Sequence, residues 1–112
     1  MKIKYLKGEA VITQLRRCAV NLKKSNPNVL RVLLFGSLVQ DNYGPRSDAD
    51  LLIILASDER RRMDRIPEFL HIFSDVAVPV DVFPLTLQEL QKEVDSDNLH
   101  LKRILKEGVE IG

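Results

Sequence analysis

The sequence predicts an α/β or α+β domain, a small sheet with helices packed on it, and three observations predict it. Short apolar, β-branched runs stop or start at turn residues around positions 29–35, 49–55 and 76–83. Apolar residues recur at helical spacing before, between and after those runs. No repeat, low-complexity tract or linker divides the 112 residues, so a single domain spanning 1–112 is expected.

The elements follow in order. From Gly8 to Lys24 the apolar residues Val11, Ile12, Leu15, Ala19 and Leu22 define one helical face, with Arg16, Arg17, Lys23 and Lys24 elsewhere. Ser25-Asn26-Pro27-Asn28 breaks that helix, because proline cannot continue it and its neighbours favour turns. Val29 to Phe35 is apolar except for Arg31 and stops at Gly36, the pattern of a mostly buried strand feeding a turn. Ser37 can cap a short helix running to about Asn42, and Tyr43-Gly44-Pro45-Arg46-Ser47 is loop.

Ala49 to Leu55 is a nearly unbroken apolar run of strand length, the signature of a central strand. Helical spacing returns from Asp58 to Phe73 through Met63, Ile66, Leu70 and Phe73, with a kink or break at Pro67. Val76 to Phe83 is the third strand. Thr86 with Glu89 three residues on forms a capping box for a helix carrying Leu87, Leu90 and Val94. A last helix spans Leu99 to Lys106, is closed by Gly108, and precedes a short strand at Val109 to Ile111.

A composition of 45% hydrophobic and 29% charged residues excludes a disordered or fibrous chain, and a net charge of +1 argues against a general polyanion coat. The lone Cys18 cannot make an internal disulfide and reads as a small buried hydrophobe. No signal-peptide-like or membrane-length apolar segment is evident, so the expected setting is cytoplasmic, with no membrane contact.

The chemistry lies in the stretch Phe35 to Ile54, FGSLVQDNYGPRSDADLLII. Asp48 and Asp50 are two apart at the start of an extended segment, so both leave one face, with roughly 7 Å of rise between their α-carbons. Two carboxylates beside a strongly apolar strand repel each other and resist desolvation, so a cation is expected with them. Magnesium takes hard oxygen ligands and completes its coordination with substrate phosphates. An isolated pair of aspartates is more often a strand-end cap or turn former. Gly36-Ser37, between strand and helix, adds a place where phosphate can approach the backbone and free N–H groups. Asp81, inside an apolar strand, supplies a third acid. Three carboxylates from two strands suit a two-metal site for phosphoryl or nucleotidyl transfer.

Gly36-Ser37, nine intervening residues, then Ser47-Asp48-Ala49-Asp50-Leu51, with Asp81 downstream, resembles the signature of the DNA polymerase beta-like nucleotidyltransferases. The chain resembles the minimal nucleotidyltransferase subgroup in size. The resemblance implies an α+β fold with a small mixed sheet. It also implies nucleotide contacts from Gly36, Ser37 and Ser47, and two Mg2+ ions, or Mn2+, held by Asp48, Asp50 and Asp81. Asp81 would also help deprotonate the acceptor hydroxyl. The implied reaction moves a nucleoside monophosphate, AMP from ATP, to an acceptor hydroxyl. In the antitoxins of that subgroup the acceptor is a tyrosine on a helical toxin partner of the HEPN class. A homo-oligomer is compatible with the same resemblance. One departure stands out: Leu38-Val39-Gln40-Asp41 replaces the family's usual Arg-rich segment, with Arg46 as a candidate substitute.

Other readings bear on the same residues. An EF-hand loop opening at Asp48 would need glycine where Ile53 stands. Arg60, Arg61, Arg62 and Arg65 read as a solvated helix face, with a nucleic-acid or partner contact as the alternative. His71 and His100 lack metal-ligand spacing and read as ordinary helix residues. Tyr43 either stacks on a base or covers its loop. Two function classes follow: an active transferase, favoured by the three intact aspartates, and a binding module that keeps the fold and sequesters a partner, favoured by the altered segment 38–41.

Overall fold

The structure, a computed structural model, describes residues 2–36 and 48–112, with side chains described from residue 9 onward in the first segment. The order is α1 (Lys2–Ser25), β1 (Val29–Phe35), β2 (Ala49–Leu55), α2 (Arg62–Ile72), β3 (Val80–Thr86), α3 (Leu87–Asp95), α4 (Leu99–Glu107) and β4 (Val109–Glu110). The strands form one mixed sheet in the order β3-β2-β1-β4. β1 runs antiparallel to both β2 and β4, and β2 and β3 are parallel. The predicted α+β class with a small mixed sheet is the one observed.

Alternation along the strands assigns two faces. Val32, Leu34, Ala49, Leu51, Ile53, Leu55 and Val82 turn toward α1 and α2, where they meet Val11, Leu15, Ala19, Leu22, Phe69 and Phe73. Leu33, Leu52 and Ile54 turn the other way and meet Leu101 and Ile104 of α4. Helices therefore cover β2 on both sides, which is why its sequence is a continuous apolar run instead of an alternating one. A register irregularity between Val29 and Arg31 lets Val29 and Val32 share one core despite their odd spacing.

Three sequence expectations are corrected. The second helix begins at Arg62 and not Asp58, and Pro67 lies inside one continuous helix. Its core face is Arg65, Ile66, Phe69 and Phe73, whereas Met63 is 80% exposed. The third strand runs Val80–Thr86 and not Val76–Phe83. Pro84 is tolerated there because β3 is an edge strand, where a missing N–H need not cost a ladder bond. The expected helix from Ser37 to Asn42 lies outside the described residues.

The capping box is present as read: Glu89 N–H donates to Thr86 Oγ1 at 3.2 Å, and Thr86 N–H to Glu89 Oε1 at 2.9 Å. Gly108 ends α4 in an extended conformation, so left-handed freedom is not its purpose. A Cβ there would stand 2.5 Å from the Ile104 carbonyl oxygen, so bulk is what the position excludes. Among the described residues no helix is long and apolar enough to cross a membrane.

Candidate functional site

The topology collects the acids at one end of the sheet. β2 and β3 are parallel, so their N-terminal ends lie together, and antiparallel β1 delivers its C-terminal end to the same place. Register then sets neighbours: Asp50 pairs with Phe35 on one side and with Asp81 on the other. Phe35, Asp50 and Asp81 thus form one cross-sheet row on the α3–α4 face, and Leu33, Leu52 and Phe83 form the next. Asp48 lies one residue before β2, exposed like Asp81, while Asp50 is half-buried.

Burial pushes the Asp50 carboxyl above its ordinary range, the charges of Asp81 and then Asp48 push it further, and His100 opposes them. Three acids therefore share one electrostatic neighbourhood. Among the described residues no three Asp, Glu, His or Cys side chains form a ready-made metal cage. Magnesium does not need one, because it commonly binds through one or two carboxylates plus waters and substrate phosphates. An all-oxygen donor set in which Asp50 is disfavoured as an anion fits a hard cation.

Gly36 closes β1 with φ of 87°, in the left-handed region that favours glycine. A Cβ built there would overlap Asp50 Oδ2, so the missing side chain is what lets this carboxylate lie against the turn. Ser37, Ser47, the 38–41 segment, Tyr43 and Arg46 lie outside the described residues.

Sequence reasoning missed two residues. His100, at the start of α4, stands edge-on to Phe35 with ring centroids 6.2 Å apart and faces the acid cluster. No spacing signal could have found it, since α4 and Asp50 meet only through the fold. Arg65 reads from sequence as one of four solvated arginines and is only 2% exposed. Its guanidinium donates to Glu89 Oε1 and Oε2 at 2.6 and 3.0 Å, to the Pro84 carbonyl at 3.2 Å, and to the carbonyls of Asp58 and Arg60. Arg60 pairs with Asp58 and Glu68, and Arg62 with Glu89 and Glu93. Arg65 and Arg62 brace α2 to α3, while Arg60, Arg61 and Arg62 keep the exposure expected of a solvated face, so the reading is corrected for Arg65 alone.

The fold recurs in solved structures. A candidate nucleotidyltransferase from Sulfolobus solfataricus matches with a TM-score of 0.63 at 22% identity, over 95% of this chain and 83% of that one. A toxin–antitoxin complex with AMP-PNP matches with a TM-score of 0.58 at 19% identity, over 87% of this chain and 72% of that one. No curated protein matches by sequence. The nucleotidyltransferase domain family matches residues 15–111, a span that includes Gly36, Asp48, Asp50 and Asp81, and the chain belongs to that family.

Proposed function

We propose that residues 1–112 act as one magnesium-dependent nucleotidyltransferase unit that moves AMP from ATP to a hydroxyl. In this reading Asp48, Asp50 and Asp81 hold two Mg2+ ions, or Mn2+, and Gly36, Ser37 and Ser47 lie along the triphosphate. The observation that carries it is the in-register pair Asp50 and Asp81 on parallel strands beside the positive-φ turn at Gly36. Bound magnesium supplies neutralisation of charge on the phosphates and on the attacking oxygen. Asp81 orients the acceptor hydroxyl and takes its proton. The hydroxyl oxygen then bonds to the α-phosphorus as the bond from that phosphorus to the α,β-bridging oxygen breaks, and pyrophosphate leaves.

An adenine nucleotide as donor and a protein as partner accord with the shared fold of a toxin–antitoxin complex that carries AMP-PNP. Together with the sequence resemblance, this favours an antitoxin of the minimal nucleotidyltransferase subgroup that adenylylates a tyrosine on a HEPN-type helical partner. Thermal unfolding tests the site. Magnesium or manganese with ATP should stabilise the protein by about 2.7 kcal/mol at a ligand concentration a hundred times the dissociation constant. Asp48→Asn and Asp50→Asn should fold and lose that increment. A double variant that still binds metal-ATP like the parent overturns the assignment.

A further inference from the structure

Beside the acid cluster a groove of about 260 Å3 opens along the β3 edge. Leu52 is its floor, and Phe35, Phe83 and His100 stand around the end nearest the carboxylates, with Leu101 and Ile104 behind. Phe35 and Phe83 meet diagonally across β2, their ring centroids 5.6 Å apart. Phe83 is nevertheless 47% exposed, its open surface turned into a concave site rather than onto a core. Such a wall offers stacking and edge contacts to a planar ring. Met63, on the rim, adds an unbranched, adaptable lip.

Building on the transferase reading above, we infer that this groove seats the phenol ring of the acceptor, a tyrosine side chain of a partner protein, with its hydroxyl toward Asp81. In-line displacement requires the attacking oxygen and the leaving pyrophosphate on opposite sides of the reacting phosphorus. The sheet provides two sides: Gly36 flanks Asp50 from β1, and Asp81 flanks it from β3. With phosphate on the Gly36 side, the acceptor comes from the β3 side, where the groove lies. The reach fits as well. Phe83 is two residues past Asp81, about 7 Å along the strand, roughly the span from a tyrosine Cβ to its hydroxyl.

Charge also favours phenol over a nucleobase. Of the four described polar side chains bordering the groove, Arg62 pairs with Glu93 at 3.4 Å, Asn98 donates to Glu93 at 2.8 Å while accepting from Leu101 N–H at 3.0 Å, and His100 stands at the end beside Phe35. A base would leave several donors and acceptors facing apolar walls, each at a desolvation cost. A phenol has one hydroxyl, and the carboxylates accept from it.

The test uses the full chain and N-acetyl-tyrosinamide as probe, with binding followed by saturation-transfer NMR. The parent should bind it, and Phe83→Ala and Met63→Ser should each weaken binding by about fivefold, the scale of a lost ring or thioether contact. Met63 is far enough into solvent that its replacement keeps the fold even if Phe83→Ala does not. Both folded variants should keep the parent's stabilisation by metal-ATP. Equal probe binding in parent and variants, displacement of the probe by adenosine, or loss of the metal-ATP response in Phe83→Ala each overturns the acceptor subsite. A parent without any metal-ATP response instead sinks the transferase reading, whatever the probe does.

Discussion

Asp50 carries a cost that its surroundings explain. It lies half-buried at the start of β2, in register with one acid and two residues after another. Its folded carboxyl is raised above the ordinary 3.8, chiefly by burial and then by Asp81 and Asp48. The folded state therefore holds that proton more tightly than the unfolded state, and stability falls as pH rises from 3.8 through the raised value. Asp50→Asn should remove that component and raise the melting temperature of the metal-free protein near neutrality, with less effect in acid. Melting curves across this pH range check it, and an Asn variant less stable than the parent at neutral pH contradicts the account. Gly36 makes a complementary prediction. Gly36→Ala places a side chain on Asp50 Oδ2 and a β-carbon in the left-handed region, which costs about 1–2 kcal/mol by itself. Denaturant unfolding should show at least that loss, and the displaced carboxylate should weaken the response to magnesium with ATP.

Between elements, Arg65 forms a bidentate ion pair with Glu89 from a side chain that is only 2% exposed. It links α2 on one face of the sheet to α3 on the other, around the end of β3, and Glu89 serves it while completing the capping box. The Arg65 guanidinium, helped by Thr86 N–H, holds the Glu89 carboxyl down at about 2 from an ordinary 4.5. That stability is fully present above 4.5 and is lost as pH falls toward 2. Glu89→Gln leaves a buried guanidinium with only the Asp58 carboxylate, 3.8 Å away, as counter-charge, and should cost about 3 kcal/mol, more than Arg65→Met, which removes the charge itself. A double-mutant cycle by urea unfolding should show strong coupling, and additive effects would mean the brace is ornamental. The same elements show what a sequence can reveal. Thr86 and Glu89 were legible because a capping box is local, and Val29–Phe35 and Ala49–Leu55 because burial on both faces leaves an apolar run. The start of β3 was not, because Val76 and Val78 are apolar yet pack against the core from outside the strand. Arg65 hid in a basic run, since its partners lie 19 and 24 residues away and only tertiary contact pairs them. His100 was hidden for the same reason, whereas Asp50 and Asp81 stand out as candidates in the sequence because acids in apolar strands conflict with local preference, and Asp48 by its spacing from Asp50.

At the scale of the molecule, one topological fact gives the site its shape: two parallel strands begin, and an antiparallel one ends, at the same edge of a sheet covered by helices on both faces. Phe83 and Met63, which line the groove along the β3 edge, are 47% and 80% exposed, and Leu99 at the start of α4 is 76% exposed. Part of the apolar surface that α3 and α4 carry in sequence is spent internally, since Leu101 and Ile104 are buried and Leu90 and Leu105 pack on them. Leu87 and Leu99 remain outward. A pocket that grips both a nucleotide and an acceptor usually gains walls at a domain or subunit boundary, and among the described residues the sheet with its helices forms one side of such a pocket. Under the transferase reading, the chain alone should therefore transfer little, and label from α-32P-ATP should appear on a co-purified helical partner, on tyrosine. Replacing Leu99 with a charged residue should weaken that partnership while leaving metal-ATP stabilisation intact, because its side chain points away from the core. Co-purification followed by phosphoamino-acid analysis reads both outcomes. Efficient transfer to a nucleic acid by the isolated chain would overturn the partner requirement. A partner that binds tightly and is never labelled, in the presence of magnesium and ATP, would make this nucleotidyltransferase fold a sequestering module.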